Sequence, residues 1–217
     1  SPGAPVVYGG FTSNVDMKTG SPAFGTPENA LTNLASGQLC RHYGLPYRSS
    51  GCSASNVPDA QAAFETQVSL WAAVFGGANL IYHAAGWMEG GLCTGFEKLV
   101  MDADRLGAYQ KFLKGLETSE EAFARDAYAE VKPGGHFLGA AHTMRNYQTA
   151  FYEPALSNSE NVESWEDGGS LDMRQRAHKR WTHLLDQYEA PPLDPAIDEA
   201  LQEFVARRKS ELPDAWY

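Results

Sequence analysis

The chain has 217 residues, of which 43% are hydrophobic, and this is enough for one sizeable core and fits one domain better than two. Its formal net charge of −10 and its pI near 5.0 argue against a nucleic-acid partner, which calls for a basic surface. The three cysteines, Cys40, Cys52 and Cys93, form no CxxC pair, so the sequence predicts reduced thiols of a cytoplasmic protein and neither a zinc site nor a disulfide framework.

No segment is expected to enter a membrane. The most apolar run, residues 78–85, is too short to span a bilayer and contains His83. The first five residues lack the basic and apolar regions of a signal peptide and resemble an opened loop that leads into a strand.

Four short apolar runs, each bounded by glycine or proline, predict buried parallel strands, and helical patterns separate them. The first helix should begin at Pro27, capped by Thr26, and end before Gly44. The predicted strands lie at 5–9, 45–50, 79–86 and 135–139, and the predicted helices at 27–43, 58–75, 95–116 and 118–131.

Apolar stripes on two of these helices are expected to face the core. One stripe consists of Phe64, Val68, Trp71 and Phe75, and the other of Phe96, Leu99, Val100, Ala103 and Leu106. Beyond the last strand, residues 157–170 predict a loop. An amphipathic helix around Ala177 and Trp181 follows, and a final helix is capped by Asp194.

Alternation of strands and helices at this spacing predicts βαβ units and a parallel sheet. Four units make half of a (β/α)8 barrel, so the fold expected is α/β, with residues 1–155 as part of a TIM-type barrel and residues 156–217 as a helical extension packed on it. An open doubly wound sheet is the alternative, although no glycine-rich phosphate loop follows any strand.

Chemistry in a parallel barrel lies on the loops that leave the carboxyl ends of the strands. His83 lies at such an end, and Trp87 and Glu89 follow it in a glycine-rich loop. An indole face and a carboxylate suit a methylated ammonium ion, which offers few hydrogen-bond donors. The plain alternative makes Trp87 a core residue and Glu89 a solvated charge.

Other strand ends carry further candidates. Arg48 is placed to clamp a carboxylate or to pair with an acidic neighbour, and His136 is either catalytic or structural. A metal site of His83, His136 and Glu89 is conceivable but far apart in sequence. The segment 51–55 fails the GxSxG pattern, which argues against a serine hydrolase.

Several long strings then identify a resemblance. They include Asn-Leu-Ile-Tyr-His-Ala-Ala-Gly-Trp-Met-Glu-Gly-Gly-Leu at 79–92, and the stretches 7–11, 20–28, 35–39, 45–49, 58–63, 134–139 and 191–198. Together they resemble the trimethylamine methyltransferase family over essentially the whole chain. The resemblance implies a (β/α)8 barrel that transfers a methyl group from trimethylamine or glycine betaine to the Co(I) corrinoid, a cobalamin, of a separate protein.

The resemblance also implies what this chain lacks. Family members are much longer, so the chain corresponds to the C-terminal half of the barrel. Archaeal members that use trimethylamine carry pyrrolysine, whose position we place in the loop 50–56, and this chain has only standard residues. It therefore resembles the branch without pyrrolysine, which favours glycine betaine or another quaternary amine.

The roles expected from the resemblance are as follows. Tyr8 and Trp87 present aromatic faces to the cation, Arg48 holds a substrate carboxylate, Glu89 is a charge partner, and His83 and His136 position polar groups. These six side chains are expected to converge on one cavity. No cofactor is expected to bind tightly to the chain itself, and no metal.

Two other functional hypotheses stay open, a non-catalytic amine-binding fragment of the same fold and a generic barrel lyase. Half a barrel leaves an unpaired sheet edge and an apolar interior. We therefore expect a homo-oligomer, a domain swap or a further segment of the polypeptide to cover that face.

Overall fold

The structure, a computed structural model, describes residues 2–213. The strands are β1 (Tyr8–Gly9), β2 (Asn14–Val15), β3 (Pro22–Ala23), β4 (Tyr47–Ser50), β5 (Leu80–Tyr82), β6 (Trp87–Met88) and β7 (Cys93–Thr94). The helices are α1 (Pro27–Tyr43), α2 (Ala60–Phe75), α3 (Phe96–Leu113), α4 (Glu120–Phe123), α5 (Arg125–Glu130), α6 (Ala141–Asn146), α7 (Val162–Asp167), α8 (Met173–Asp186) and α9 (Pro195–Glu211).

Three of the predicted strands form one parallel sheet in chain order, β1-β4-β5. Tyr8 pairs with Tyr47, and Arg48 pairs with Leu80. Two antiparallel ladders, β2-β3 and β6-β7, lie in the loops after β1 and β5. The chain is therefore a mixed α/β fold with parallel strands, as the alternation of elements predicts.

The fourth predicted strand is wrong. Residues Phe137–Gly139 form a single 3-10 turn, and Phe137 and Leu138 are exposed. Gly134 has a positive φ of 82°, and the amide of Gly135 donates to the carbonyl of Lys132, so a tight turn begins the segment. Two apolar residues between glycines are too few to bury a strand.

Helix α1 is confirmed with its predicted ends. The Thr26 hydroxyl accepts a hydrogen bond from the Asn29 amide at 3.2 Å, Pro27 fills the first turn, and Gly44 ends the helix in the left-handed conformation. The capping box predicted at 118–121 would place the N-cap at Thr118, whereas the N-cap of α4 is Ser119, one residue later. The predicted helix to residue 131 divides into α4 and α5.

Helices α1 and α2 cover one face of the sheet. Tyr47 and Ser49 point toward α1 and hydrogen-bond with the buried Asn33 at 3.0–3.1 Å. The two helices approach so closely that a Cβ on Gly37 would lie 1.9 Å from the carbonyl oxygen of Gly76. Only glycine permits this contact.

The predicted inward faces of α2 and α3 are only partly right, since Trp71 packs on Tyr109 of α3 and Val100 packs against the cluster around Met101. In α2, Phe64 and Phe75 are exposed, and the buried residues are mostly small: Ala62, Thr66, Ser69, Leu70, Ala72 and Ala73. In α3, Phe96 and Leu99 are exposed, while Lys98 and Asp102 are each only 1% exposed. Close helix packing and a buried ion pair, rather than the apolar stripes, therefore decide which faces point inward.

The chain divides into two compact units, residues 1–182 and 183–217. In the first unit, Met101, Leu156 and Ala177 form an apolar cluster, and the Asp104 carboxylate accepts hydrogen bonds from the backbone amides of residues 155–157. Residues 156–182 therefore contact α3, and the expected division at 155/156 stays a prediction. No helix within residues 2–213 is long and apolar enough to cross a membrane.

Glu97 fastens α8 to α3. Its Oε1 accepts hydrogen bonds from His178 Nδ1 at 2.8 Å and from Trp181 Nε1 at 2.9 Å, and Phe96 stacks on Trp181 with ring centroids 5.0 Å apart. The hydrogen bonds from His178 and Trp181 lower the pKa of Glu97 to about 2.

We expect this contact to be lost in acid. Because the folded pKa lies below the ordinary value of 4.5, the stabilisation is complete above pH 4.5 and is lost as the pH falls toward 2. Glu97→Gln should lower the free energy of unfolding at pH 7 by on the order of 1–2 kcal/mol, since Glu97 is partly solvated, and should abolish that acid-dependent loss. Urea unfolding at a series of pH values measures both effects. Glu166→Gln, which changes an exposed carboxylate on α7, is the matched control; equal pH profiles for the two variants would contradict the assignment.

Candidate functional site

The second face of the sheet carries the candidate site. Because Tyr47 and Ser49 point toward α1, strand alternation directs Arg48 and Ser50 to the opposite face. The register adds Tyr82, which is paired with Ser50. Leu80 and Tyr82 on this face are 46% and 48% exposed. The face is therefore open to a ligand in the part of the protein that the structure describes.

Arg48 is a cation without a partner carboxylate among residues 2–213. Its Cζ lies 4.6 Å from the centroid of the Tyr82 ring, and its paired neighbour Gly9 leaves room for the guanidinium. A Cβ at position 9 would lie 3.3 Å from Nη2 of Arg48. The salt bridges of the described residues do not include Arg48.

His83 lies directly after β5 with a positive φ of 52°, a conformation that non-glycine residues adopt rarely and often at functional sites. Its Nδ1 is 3.1 Å from Ser50 Oγ. Burial, and then the positive charge of Arg48, lower the pKa of His83 below 6.5. The imidazole is therefore neutral at pH 7.

Aromatic rings surround the His83 imidazole. Its centroid is 5.0 Å from Phe11, 5.2 Å from Trp87 and 6.2 Å from Tyr82. Trp87 is partly exposed and is fixed by its backbone, since its carbonyl accepts a hydrogen bond from Ser53 Oγ at 3.1 Å. The structure thus brings together three of the six predicted side chains, Arg48, His83 and Trp87.

Three neighbours of this cluster, Phe11, Ser50 and Tyr82, were not among the predicted site residues. Strand alternation was enough to recognise Ser50 and Tyr82. Ser50 is two residues beyond Arg48 on the same strand face, and Tyr82 is the register partner of Ser50 on the neighbouring strand. Phe11 has no such signal. It reaches His83 through the loop after β1, where it also packs on Phe24 at 4.7 Å.

Tyr8 lies on the other face of the sheet. Its register partner is Tyr47, which points toward α1, and the two rings lie 6.2 Å apart. Tyr8 therefore does not join Arg48 and His83.

Glu89 lines a separate groove. This groove, of about 410 Å³, is bordered by the β2-β3 hairpin and the loop after β4 and includes Asp16, Asn56 and Leu92, but neither Arg48 nor His83. Glu89 has a positive φ of 51°, and its amide donates to the carbonyl of Ser55 at 2.9 Å. Burial raises the pKa of the neighbouring Cys93 thiol, and a hydrogen bond to Glu89 raises it further.

His136 is not brought to the cluster either. It precedes the 3-10 turn and is exposed, and no hydrogen bond or aromatic contact within residues 2–213 joins it to His83. The described residues contain no group of three side chains with metal-ligand geometry, so His83, His136 and Glu89 do not form one there.

The serine- and cysteine-rich loop after β4 is held by α2. The Glu65 carboxylate accepts hydrogen bonds from the amides of Ala54 and Ser55, both at 2.9 Å. Cys52 is fully buried, and burial raises the pKa of its thiol to about 11. The thiol therefore stays protonated at neutral pH and is a poor nucleophile.

Comparison with known proteins identifies relatives of this chain. A family described as Trimethylamine methyltransferase (MTTB) matches residues 1–213. A glycine betaine methyltransferase of Desulfitobacterium hafniense (strain Y51) is 41% identical over 213 residues, 98% of this chain and 44% of that protein. A trimethylamine methyltransferase of D. hafniense (strain DSM 10664 / DCB-2) is 31% identical over 212 residues, 97% of this chain and 42% of that protein. A trimethylamine methyltransferase of Methanosarcina barkeri (strain Fusaro / DSM 804) is 33% identical over 207 residues, which are 94% of this chain and 41% of that protein. The chain thus spans less than half the length of these relatives.

Proposed function

Because this chain belongs to the trimethylamine methyltransferase family, we propose that it forms part of an enzyme that moves a methyl group from a quaternary amine, glycine betaine above all, to the Co(I) corrinoid of a partner protein. The corrinoid supplies the cobalt nucleophile that accepts the methyl group, and this chain holds no cofactor tightly. Trimethylamine is the other substrate that the names of the relatives include.

The observation that supports glycine betaine is the guanidinium of Arg48, which has no carboxylate partner among residues 2–213. It lies on the open face of the sheet beside the rings of Tyr82 and the His83 cluster. A betaine has a carboxylate for such a guanidinium to bind and a trimethylammonium group for the neighbouring aromatic faces. Trimethylamine has no carboxylate and leaves Arg48 without a partner.

The neutral His83 supports a quaternary substrate as well. A quaternary nitrogen leaves as a neutral amine, whereas a tertiary amine needs a proton first. The pKa of His83 is lowered by burial and by Arg48, so at neutral pH the ring rarely carries the extra proton that a tertiary amine would need. His83 can instead position neighbouring polar groups, as it does the Ser50 hydroxyl through their hydrogen bond. The task of the side chains is then to orient the N–CH3 bond and to exclude water.

The barrel belongs to the same proposal. The three parallel strands and their helices are part of a (β/α)8 barrel, in which the open sheet face becomes the interior and the strand ends form the mouth. The remaining length of the relatives, more than half, supplies the other strands and covers that face. The second candidate function is an amine-binding module without turnover. It applies if the catalytic groups of the relatives lie in the part of their length that this chain does not match.

The roles of Tyr8, Glu89 and His136 stay predictions. In the proposal Arg48 binds the carboxylate, Trp87 faces the cation and His83 is the positioning group between them. Contacts among the described residues support these three roles and not the other three.

Arg48 should discriminate between substrates with and without a carboxylate. In the complete polypeptide, Arg48→Met should raise the dissociation constant for glycine betaine by roughly 10–100-fold, the value of a hydrogen-bonded charge pair, and Arg48→Lys by less, because it keeps the charge without the fork. Tetramethylammonium, which lacks the carboxylate, should bind Arg48→Lys about as well as the wild type and Arg48→Met more tightly, because Arg48→Met removes a charge that repels the cation. Isothermal titration calorimetry measures the dissociation constants of both ligands. Equal losses of affinity for the two ligands would show that Arg48 does not bind the carboxylate.

Trp87 should bind the cationic end. Trp87→Ala should weaken glycine betaine and tetramethylammonium alike by ~1–2 kcal/mol, whereas Trp87→Phe should keep much of the affinity because an aromatic face remains. Trp165→Ala is the control, since that indole donates to the Leu171 carbonyl in a separate part of the fold. Unchanged methyl transfer by Trp87→Ala, followed as methylation of cob(I)alamin, would return this side chain to a packing role.

A homo-oligomer is also part of the proposal, and α9 is the element that we assign to it. An apolar stripe on α9 is about half exposed: Ile197, Leu201, Phe204 and Val205. The charges of the helix are mostly divided, with the acids Asp198, Glu199 and Glu203 in the first part and the bases Arg207, Arg208 and Lys209 in the second, where Glu211 forms exposed ion pairs with Arg207 and Arg208. In an antiparallel pair of α9 helices, the acidic part of each faces the basic part of the other.

Exchange of charges tests this pairing. Asp198→Arg and Arg208→Asp should each shift the chain from dimer toward monomer in sedimentation velocity, because like charges then meet twice across the two-fold axis. A mixture of the two variants should dimerise again, since both opposite-charge pairs return. A wild-type monomer, or a mixture that stays monomeric, would rule out the antiparallel arrangement.

A further inference from the structure

A buried ion pair lies beside the candidate site without belonging to it. Lys98 and Asp102 are one helical turn apart on α3, and each is 1% exposed. Lys98 Nζ donates to Asp102 Oδ2 and, at 2.9 Å, to the hydroxyl of the fully buried Thr66 on α2. Arg105, which is partly solvated, donates to Asp102 Oδ1 at 2.7 Å.

The Asp102 carboxylate also reaches the loop that carries His83 and Trp87. Its Oδ2 accepts a hydrogen bond from the Gly86 amide at 2.9 Å. The carbonyl of Gly86 accepts from Thr94 Oγ1 at 2.9 Å, so that this residue is fixed on both sides. Gly86 has a positive φ of 85°, and a Cβ there would lie 3.0 Å from Thr94 Oγ1.

The segment from His83 to Ala85 is thereby held at its two ends. At the first end, the Tyr82 carbonyl accepts from the Gly51 amide at 2.8 Å, and at the second end Asp102 holds Gly86. Between these anchors His83 adopts its strained φ of 52°. Such strain persists only where the surrounding contacts overdetermine the backbone.

Stability alone does not explain the ion pair. Two charges removed from water are costly, and apolar residues of similar volume often replace a buried pair without loss of stability. An apolar pair, however, offers no acceptor to the Gly86 amide. The carboxylate is the group that does so here, and it accepts further hydrogen bonds from Lys98 and Arg105.

We propose that Lys98 and Asp102 are positioning residues, which fix the Gly86 amide and through it the conformation of the loop on which His83 and Trp87 meet the substrate. The inference rests on the proposed function, because it is the proposed function that has this loop bind an amine. Neither residue touches the substrate, and their effect passes through the backbone.

The test compares two carboxylates of the same helix by NMR. Lys98→Met with Asp102→Leu removes the pair without changing the net charge, and Asp104→Asn is the matched control, because Asp104 holds the backbone of residues 155–157 instead. In the double variant the Gly86 amide should exchange with solvent roughly 10-fold faster or more, as expected for the loss of its hydrogen bond. The pKa of the His83 ring, followed by its proton shifts, should rise toward the ordinary value. Asp104→Asn should change neither measurement.

A variant with a smaller change keeps the test valid if the double variant does not fold. Thr66→Val removes the hydroxyl that binds Lys98 while keeping the shape of the side chain, and it should move both measurements in the same direction by less. Wild-type exchange at Gly86 and an unchanged His83 titration in folded variants would overturn the inference, as would equal changes in Asp104→Asn. These measurements need no ligand. A wild-type protein that does not bind glycine betaine would therefore refute the proposed function alone.

Discussion

Carboxylates on the helices hold the loops of this chain by accepting hydrogen bonds from loop backbone amides. Glu65 holds the loop after β4, Asp102 holds the loop after β5, and Asp104 holds residues 155–157. A backbone amide that leaves water needs an acceptor, and an ionised carboxylate is among the strongest. The two loops that border the candidate site therefore depend on charged groups of α2 and α3, and the geometry at His83 depends on them in turn.

The same constraint explains where sequence periodicity succeeded and where it failed. Helix ends were predictable because caps are local, as Thr26 and Gly44 are for α1. The inward faces of α2 and α3 were not, because periodicity finds the most apolar face and cannot tell which neighbour that face contacts. Lys98 faces inward because its ammonium has two partners, Asp102 one turn along the same helix and the Thr66 hydroxyl from α2, and the second of these is distant in sequence.

The site was predictable as far as strand ends define it. His83 and Trp87 follow from the rule that loops after parallel strands carry the chemistry, and Arg48 lies inside β4, near its carboxyl end. Tyr8 does not join this cluster because a strand alternates, and a shift of one residue moves a side chain to the other face. His136 lies apart from the cluster because its segment, rich in glycine, forms a turn instead of a strand. Glu89 sits two residues beyond Trp87 in a left-handed turn that aims it at another groove.

The charge of Arg48 gives the proposed site a selectivity that aromatic faces alone lack. Aromatic rings attract any methylated ammonium ion, so they do not distinguish glycine betaine from a protonated trimethylamine. A fixed guanidinium near the rings repels a simple cation, by about 4 kcal/mol for unit charges 4 Å apart near a protein surface, and attracts the carboxylate of a zwitterion. A second positive charge on His83 would strengthen the repulsion, and burial keeps that ring neutral. A zwitterion is therefore the methylated amine whose two ends both gain from this arrangement, which is why we place glycine betaine before trimethylamine.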